Sequence, residues 1–144
     1  MDAPTGLTDR RVCVSVGAEP DIMAACRQAR QLAEALGFSR TAAYHIATAA
    51  SELAANLLCH AGGGLLQVRS LTDPCGLDDN VLGLELLARD QGPGIADLTL
   101  ALTEGYSTGK GLGCGLPGVK RLMDDFAIES APGRGTCVKA VKWR

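Results

Sequence analysis

The chain is poor in aromatic rings. Phenylalanine, tyrosine and tryptophan make up 3% of it, too few for the stacked-base platform of a single-stranded nucleic-acid binder. A surplus of positive charge is missing as well. The formal net charge is −2, with acidic and basic residues mixed along the chain. That leaves no electrostatic case for nucleic acid or an anionic membrane as partner. No apolar run approaches the roughly 20 residues of a membrane-spanning helix, and no signal-peptide pattern opens the chain. The six cysteines (13, 26, 59, 75, 114 and 137) are scattered without a C-x-x-C pair. Count alone leaves a disulfide framework open, but nothing else marks a secreted protein. They read as reduced thiols of a cytoplasmic protein. At 144 residues the simplest organisation is one domain, 1–144.

What the chain does have is glycine in one stretch, Asp90 to Gly118, DQGPGIADLTLALTEGYSTGKGLGCGLPG. Gly92 and Gly94 form one cluster; Gly109, Gly111, Gly113 and Gly115 form another. Leu-Pro-Gly and an apolar-periodic segment follow. Proline suits a first helical turn, so the second cluster is expected to feed a helix N-terminus. Glycine lets backbone approach a ligand closely, and free N–H groups at a helix start attract anions. The stretch is therefore expected to fold around the phosphates of a nucleotide.

The rest of the chain supplies the frame. Arg11–Val16 alternates like a half-buried strand. Asp21–Leu36 carries Ile22, Ala25, Cys26, Ala29, Leu32, Ala33 and Leu36 at helical spacing, with Gly37 as a stop. Ser39 is the expected N-cap of a longer helix reaching about His60. Its apolar stripe runs from Ala43 to Leu58, while Thr48, Glu52, Asn56 and His60 recur every fourth residue along another side. Leu65–Leu71 and Val81–Asp90 read as strands. In the second, Leu82, Leu84, Leu86 and Ala88 share a face, opposite Glu85 and Arg89. Asp90 is in phase with that apolar set, where a carboxylate needs a partner. Pro117–Asp125 is expected to be a short helix burying Val119, Leu122, Met123 and Phe126. Ala127–Ser130 and Thr136–Trp143 close the chain as strands around a turn. The order implies an α+β, two-layer sandwich: a mixed or antiparallel sheet with its helices on one face.

Two familiar phosphate motifs fail on context. Gly113-Cys-Gly-Leu-Pro-Gly118 has dinucleotide spacing but no strand before it. Gly105–Lys110 is one residue short of a P-loop, and Gly111 stands where a hydroxyl must meet magnesium. Four weaker motifs fit as an ordered set. These are Glu52-x-x-x-Asn56, Asp90-x-Gly92-x-Gly94, Gly111-x-Gly113-x-Gly115 and Gly133-x-Gly135-Thr136.

In that order they resemble the GHKL superfamily of ATP-binding domains (the Bergerat fold), which includes gyrase-type ATPases, histidine kinases and anti-sigma-factor kinases. The strings SELAAN, DQGPGI, GYSTGKGLGCGLPGVKRLMDDF and KAVKW narrow the resemblance to RsbT-type serine/threonine switch kinases. The resemblance implies ATP and Mg²⁺ as cofactors. It implies that Asp90 accepts from the exocyclic amine of adenine, that Gly92, Gly94 and Ile95 pass close to the base, and that Asn56 gives its amide oxygen to the metal. Gly111, Leu112, Gly113, Cys114, Gly115 and Leu116 would line the phosphates, and Thr136 would turn its hydroxyl towards adenine. Glu52 would be the catalytic residue, polarising the attacking oxygen. A lone glutamate on a helix is ordinarily a solvated charge; its offset from Asn56 is what singles it out. Thr103–Lys110 would be a lid, ordered only with nucleotide. Lys110 would neutralise phosphate, or equally be a solvated lysine. His60 reads as a helix-end residue.

The implied partners are a STAS-domain antagonist (RsbS-like), a scaffold (RsbR-like) and a downstream phosphatase or effector (RsbU-like). Two other enzyme readings fit less well. A histidine kinase would want a phosphoacceptor domain for which the length leaves no room, and Glu52 argues against it. A gyrase-like ATPase would want a transducer domain after the last strand. A nucleotide-dependent anti-sigma or regulatory binding module with little catalysis remains the alternative.

Overall fold

The computed structural model describes residues 10–72, 81–90, 115–131 and 133–144. Its elements are β1 (Arg11–Val16), α1 (Pro20–Ala35), α2 (Arg40–Ala61), β2 (Gly64–Thr72), β3 (Val81–Arg89), α3 (Gly115–Leu122), β4 (Asp125–Ala131) and β5 (Gly135–Trp143). The strands form one five-stranded sheet in the order β1-β2-β3-β5-β4. Each neighbouring pair is antiparallel, so of the two sheet types open from sequence the described strands adopt the antiparallel one.

Local signals set the helix ends. The Asp21 carboxylate accepts from the backbone N–H groups of Gly17 and Ala18 at 2.8 and 3.0 Å, fastening the entry to α1. Ser39 Oγ accepts from the Ala42 N–H at 3.1 Å, the N-cap that its position implied. Helix α2 stops at Gly62, whose φ of 74° is left-handed and disfavoured for any residue with a Cβ.

One layer of helix covers one face of the sheet. Helix α2 packs on β2, β3 and β5, and α1 packs on α2 and β1. Ala25, Ala29 and Ala33 of α1 and Ala43, Ala50 and Ala54 of α2 are all buried. Beneath them lie Leu66, Val68, Leu84, Leu86, Ala88, Val138 and Ala140, the inward residues of three strands. Ile46 and Leu53 of α2 and Val119 of α3 complete the fully buried centre.

Three expectations need correction. Leu82 is not buried with Leu84 and Leu86 but 42% exposed, while Val81 is buried. The register moves from Leu71↔Gly83 to Thr72↔Val81, so Leu82 is the extra residue of a β-bulge and the strand changes phase there. Glu85, expected among polar residues, is buried at 6% exposure. Its carboxylate accepts from Arg69 Nε at 2.8 Å across the β2–β3 pair. The last helix starts at Gly115 and ends at Leu122, short of Asp125. The Asp124 N–H already donates to the Val141 carbonyl at 2.8 Å, so the chain has joined the sheet by then. Phe126 is accordingly a strand residue opposite Ala140. Cys13, Cys26, Cys59 and Cys137 are free thiols, and Cys75 and Cys114 lie outside the described residues.

Candidate functional site

Strand β5, not β4, lies beside β3, with Arg89 opposite Cys137. The next residue of β3 therefore meets the previous residue of β5: Asp90 meets Thr136. The Asp90 N–H donates to the Thr136 carbonyl at 3.0 Å. In return the Thr136 N–H donates to Asp90 Oδ1 at 3.1 Å. The carboxylate that looked misplaced in an apolar phase is thus half-buried and held by backbone at the sheet's end.

Above this clasp is a cavity of about 310 Å³, its open mouth included. Its enclosed part is far smaller, about 20 Å³, room for about one water. Helix α2 contributes Leu53, Asn56, Leu57 and His60; the strands contribute Ala88, Asp90, Thr136 and Val138; α3 contributes Leu116. The walls are mostly aliphatic, and the polar groups are few: an amide, an imidazole, a carboxylate and a hydroxyl. On the other side Asp90 and Thr136 also border an open groove with Arg89, Glu129, Ser130 and Arg134.

Glu52 lies one turn before Asn56 on α2 and does not line the cavity. It is 5% exposed, not solvated. Its Oε2 accepts from the Gly115 N–H, the first residue of α3, at 3.1 Å. Helix α3 thus begins where the second glycine cluster ends, and its N-terminal N–H meets an anion already.

The structure therefore brings Asn56, Asp90, Leu116 and Thr136 into one cavity, with Glu52 and Gly115 in contact beside them. Gly92, Gly94, Ile95, Lys110, Gly111, Leu112, Gly113 and Cys114, and the lid expected over 103–110, lie outside the described residues. Leu53, Leu57 and Ala88 were legible only as core positions of a helix stripe and a strand face, and Val138 only as part of the last strand; all four are also walls of the cavity. His60 sits at the helix end as expected, and its side chain adds to the cavity wall. Among the described residues no three His, Cys, Asp or Glu side chains gather into a metal cluster. No described helix is long and apolar enough to cross a membrane.

Comparison with known proteins agrees with this geometry. The histidine kinase-like ATPase domain family matches residues 16–142. The chain is 44% identical over 131 residues to the serine/threonine-protein kinase RsbT of Bacillus subtilis, covering 91% of this chain and 95% of that one. It is 31% identical over 104 residues to the anti-sigma F factor of Caldanaerobacter subterraneus subsp. tengcongensis, covering 68% of each. In fold it is similar to the mycobacterial sensor histidine kinase MprB, with a TM-score of 0.51 and 18% identity over 93% of this chain and 97% of that one. The chain belongs to the RsbT-type serine/threonine-protein kinases of the histidine kinase-like (GHKL) ATPase domain family.

Proposed function

We propose that the protein transfers the γ-phosphoryl group of ATP to a serine or threonine hydroxyl of a STAS-domain antagonist. The observation that carries this reading is the Asp90–Thr136 clasp at the floor of an aliphatic slot, with Asn56 on its wall. Adenine would enter with its exocyclic amine towards the Asp90 carboxylate. The triphosphate would then run towards the start of α3, along the residues from Gly111 to Leu116.

Asn56 is the residue suited to hold Mg²⁺. It supplies one neutral oxygen, and this ion commonly takes few protein ligands and completes its shell with water and phosphate. When bound, Mg²⁺ neutralises charge on the phosphate oxygens. Glu52 lies one helical turn before Asn56 and is bonded to the start of α3, the place from which it would accept a proton. In the transfer the partner's hydroxyl oxygen bonds to the γ-phosphorus as the bond to the β,γ-bridging oxygen breaks, and ADP leaves. The hydroxyl proton passes to the Glu52 carboxylate. A carboxylate is a weak base, so most of the rate must come from positioning.

The wider reading follows from the same family. The single domain 1–144 works in the cytoplasm within a stressosome-like, partner-switching module. It binds an RsbS-like antagonist on an RsbR-like scaffold, phosphorylates it, and then engages an RsbU-like phosphatase or effector. Phosphate on the antagonist, close to Glu52, weakens its hold and drives the exchange. The similarity to an anti-sigma F factor supports a second reading, a nucleotide-dependent binding module with little catalysis. Phosphotransfer from γ-labelled ATP to purified STAS proteins separates the two. Under the kinase reading Glu52→Ala abolishes transfer while partner binding persists. A wild-type chain that sequesters a partner but labels no STAS protein supports the binding module instead.

A further inference from the structure

Lys142 stands on β5 in the same phase as Val138 and Ala140, two core residues, and opposite the fully buried Leu84. An ammonium there needs an acceptor. Lys142 Nζ donates at 2.8 Å to the carbonyl of Leu122, the last residue of α3. It also lies 4.0 Å from Asp124 Oδ1, and the side chain is 17% exposed. The next residue grips the same corner. The Trp143 N–H donates to Asp124 Oδ2 and its indole Nε1 donates to Asp125 Oδ2, both at 2.7 Å. The closing string KAVKW, to which the proposed function gives no part, thus fastens the end of VKRLMDD.

Helix α3 is thereby held at its two ends by distant side chains of opposite charge. Glu52 meets its first N–H, and Lys142 its last carbonyl. Each sign is the one that complements the helix dipole at that end. Between them Leu116 and Val119 sink into the core. Apolar burial is non-directional, whereas a hydrogen bond demands a distance and an angle. The two polar contacts therefore fix where the helix stands along its axis.

We infer that Lys142 is a positioning residue for phosphoryl transfer: from the far end of α3 it sets the place of the helix start, and with it the Gly115 N–H against Glu52. The eight residues of α3 span about 12 Å, so Lys142 acts through the helix and touches none of the reacting atoms. A misplacement of about 1 Å near the chemistry can cost about 100-fold in rate. The inference rests on the kinase reading above and adds a residue that the ordered motifs do not contain.

The test uses the full chain at a temperature where every variant is folded, with γ-labelled ATP and the STAS protein that wild type labels. Lys142→Met keeps the apolar stem and loses the ammonium. Its kcat is expected to fall about tenfold or more, with KM for ATP changed less than about threefold. The ¹H–¹⁵N resonance of the Gly115 amide is expected to move in the same variant. Lys142→Arg keeps a cationic donor and restores most of kcat and the Gly115 resonance. A Lys142→Met chain with a lower urea midpoint but unchanged kcat and an unmoved Gly115 resonance overturns the inference, since that is the mark of a purely structural role. Should Lys142→Met not fold, Lys142→Gln takes its place, and the same two null results overturn it. If wild type labels no STAS protein, the kinase reading itself falls. If wild type labels one and both variants do so at the wild-type kcat, only the role of Lys142 falls.

Discussion

The Glu52 carboxylate and the Gly115 backbone N–H, 63 residues apart in sequence, are joined by a hydrogen bond of 3.1 Å. A buried side chain of α2 thereby caps the first turn of α3. The proposed base of the reaction and the proposed end of the phosphate cradle are a single contact. An anion already stands where a helix start attracts anions, so under the proposed reading the triphosphate approaches against its charge.

Glu52→Gln keeps the shape and the acceptor for Gly115 but removes the negative charge. Phosphotransfer is expected to fall about 100-fold or more, the scale of a lost general base. ATP affinity is expected to rise a few-fold, because the repulsion beside the phosphates is gone. Single-turnover labelling and equilibrium binding read the two effects separately. Loss of affinity in this variant would contradict the placement of the phosphates next to Glu52.

Asn56→Ala removes the amide from the cavity wall while leaving α2 intact, since alanine is the best helix former. The Mg²⁺ concentration for half-maximal phosphotransfer is expected to rise at least about tenfold, the lower end of what a lost metal-site partner costs. Thermal stability should change little, as Asn56 is only half-buried. A titration of rate against Mg²⁺ at fixed ATP makes the measurement. An unchanged midpoint would remove Asn56 from the metal site.

Gly64 starts β2 where nothing larger fits. A Cβ there would lie 2.5 Å from the Arg89 carbonyl oxygen, 2.8 Å from Leu57 Cδ2 and 3.2 Å from Asp90 Cβ. Gly64→Ala is expected to cost about 1–3 kcal/mol, the usual penalty for overpacking. It should also weaken ATP binding, because the displaced atoms belong to the Asp90 end of the cavity. Urea unfolding and nucleotide titration on the same preparation show whether the two losses go together.

Ser39→Ala removes the N-cap of α2 and is expected to cost about 1 kcal/mol. The cap lies about 25 Å along the helix from Asn56, at a rise of about 1.5 Å per residue. ATP affinity should therefore be unchanged at temperatures where the variant is folded. A shift in the urea midpoint with an unchanged slope is the expected signature.

Much of this site was legible residue by residue. Asp90 betrayed itself as a carboxylate in an apolar phase, and the clasp with Thr136 is the partner that it required. Glu52 and Asn56 were legible as neighbours because a helix repeats nearly every four residues. The burial of Glu52 was not, because it depends on α3 packing against α2, a contact between distant parts of the chain. Leu82 misled for a similar reason. Alternation assumes an unbroken ladder, and a bulge opposite Leu71 and Thr72 leaves no mark in the local pattern. Ser130 was read only as strand. Its bonds to Gly135 and Thr136 arise from the tight return of β4 into β5 and become visible once the register is known.

The most direct measurement is a crystal structure of the chain with Mg-AMPPNP. Expected is a purine between Leu53, Leu116 and Val138 with its 6-amino group on the Asp90 carboxylate, Asn56 at the metal, and the γ-phosphate beside Glu52 and the start of α3. A nucleotide bound away from Asp90 and Asn56, or a base edge that does not meet the Asp90–Thr136 clasp, would contradict it.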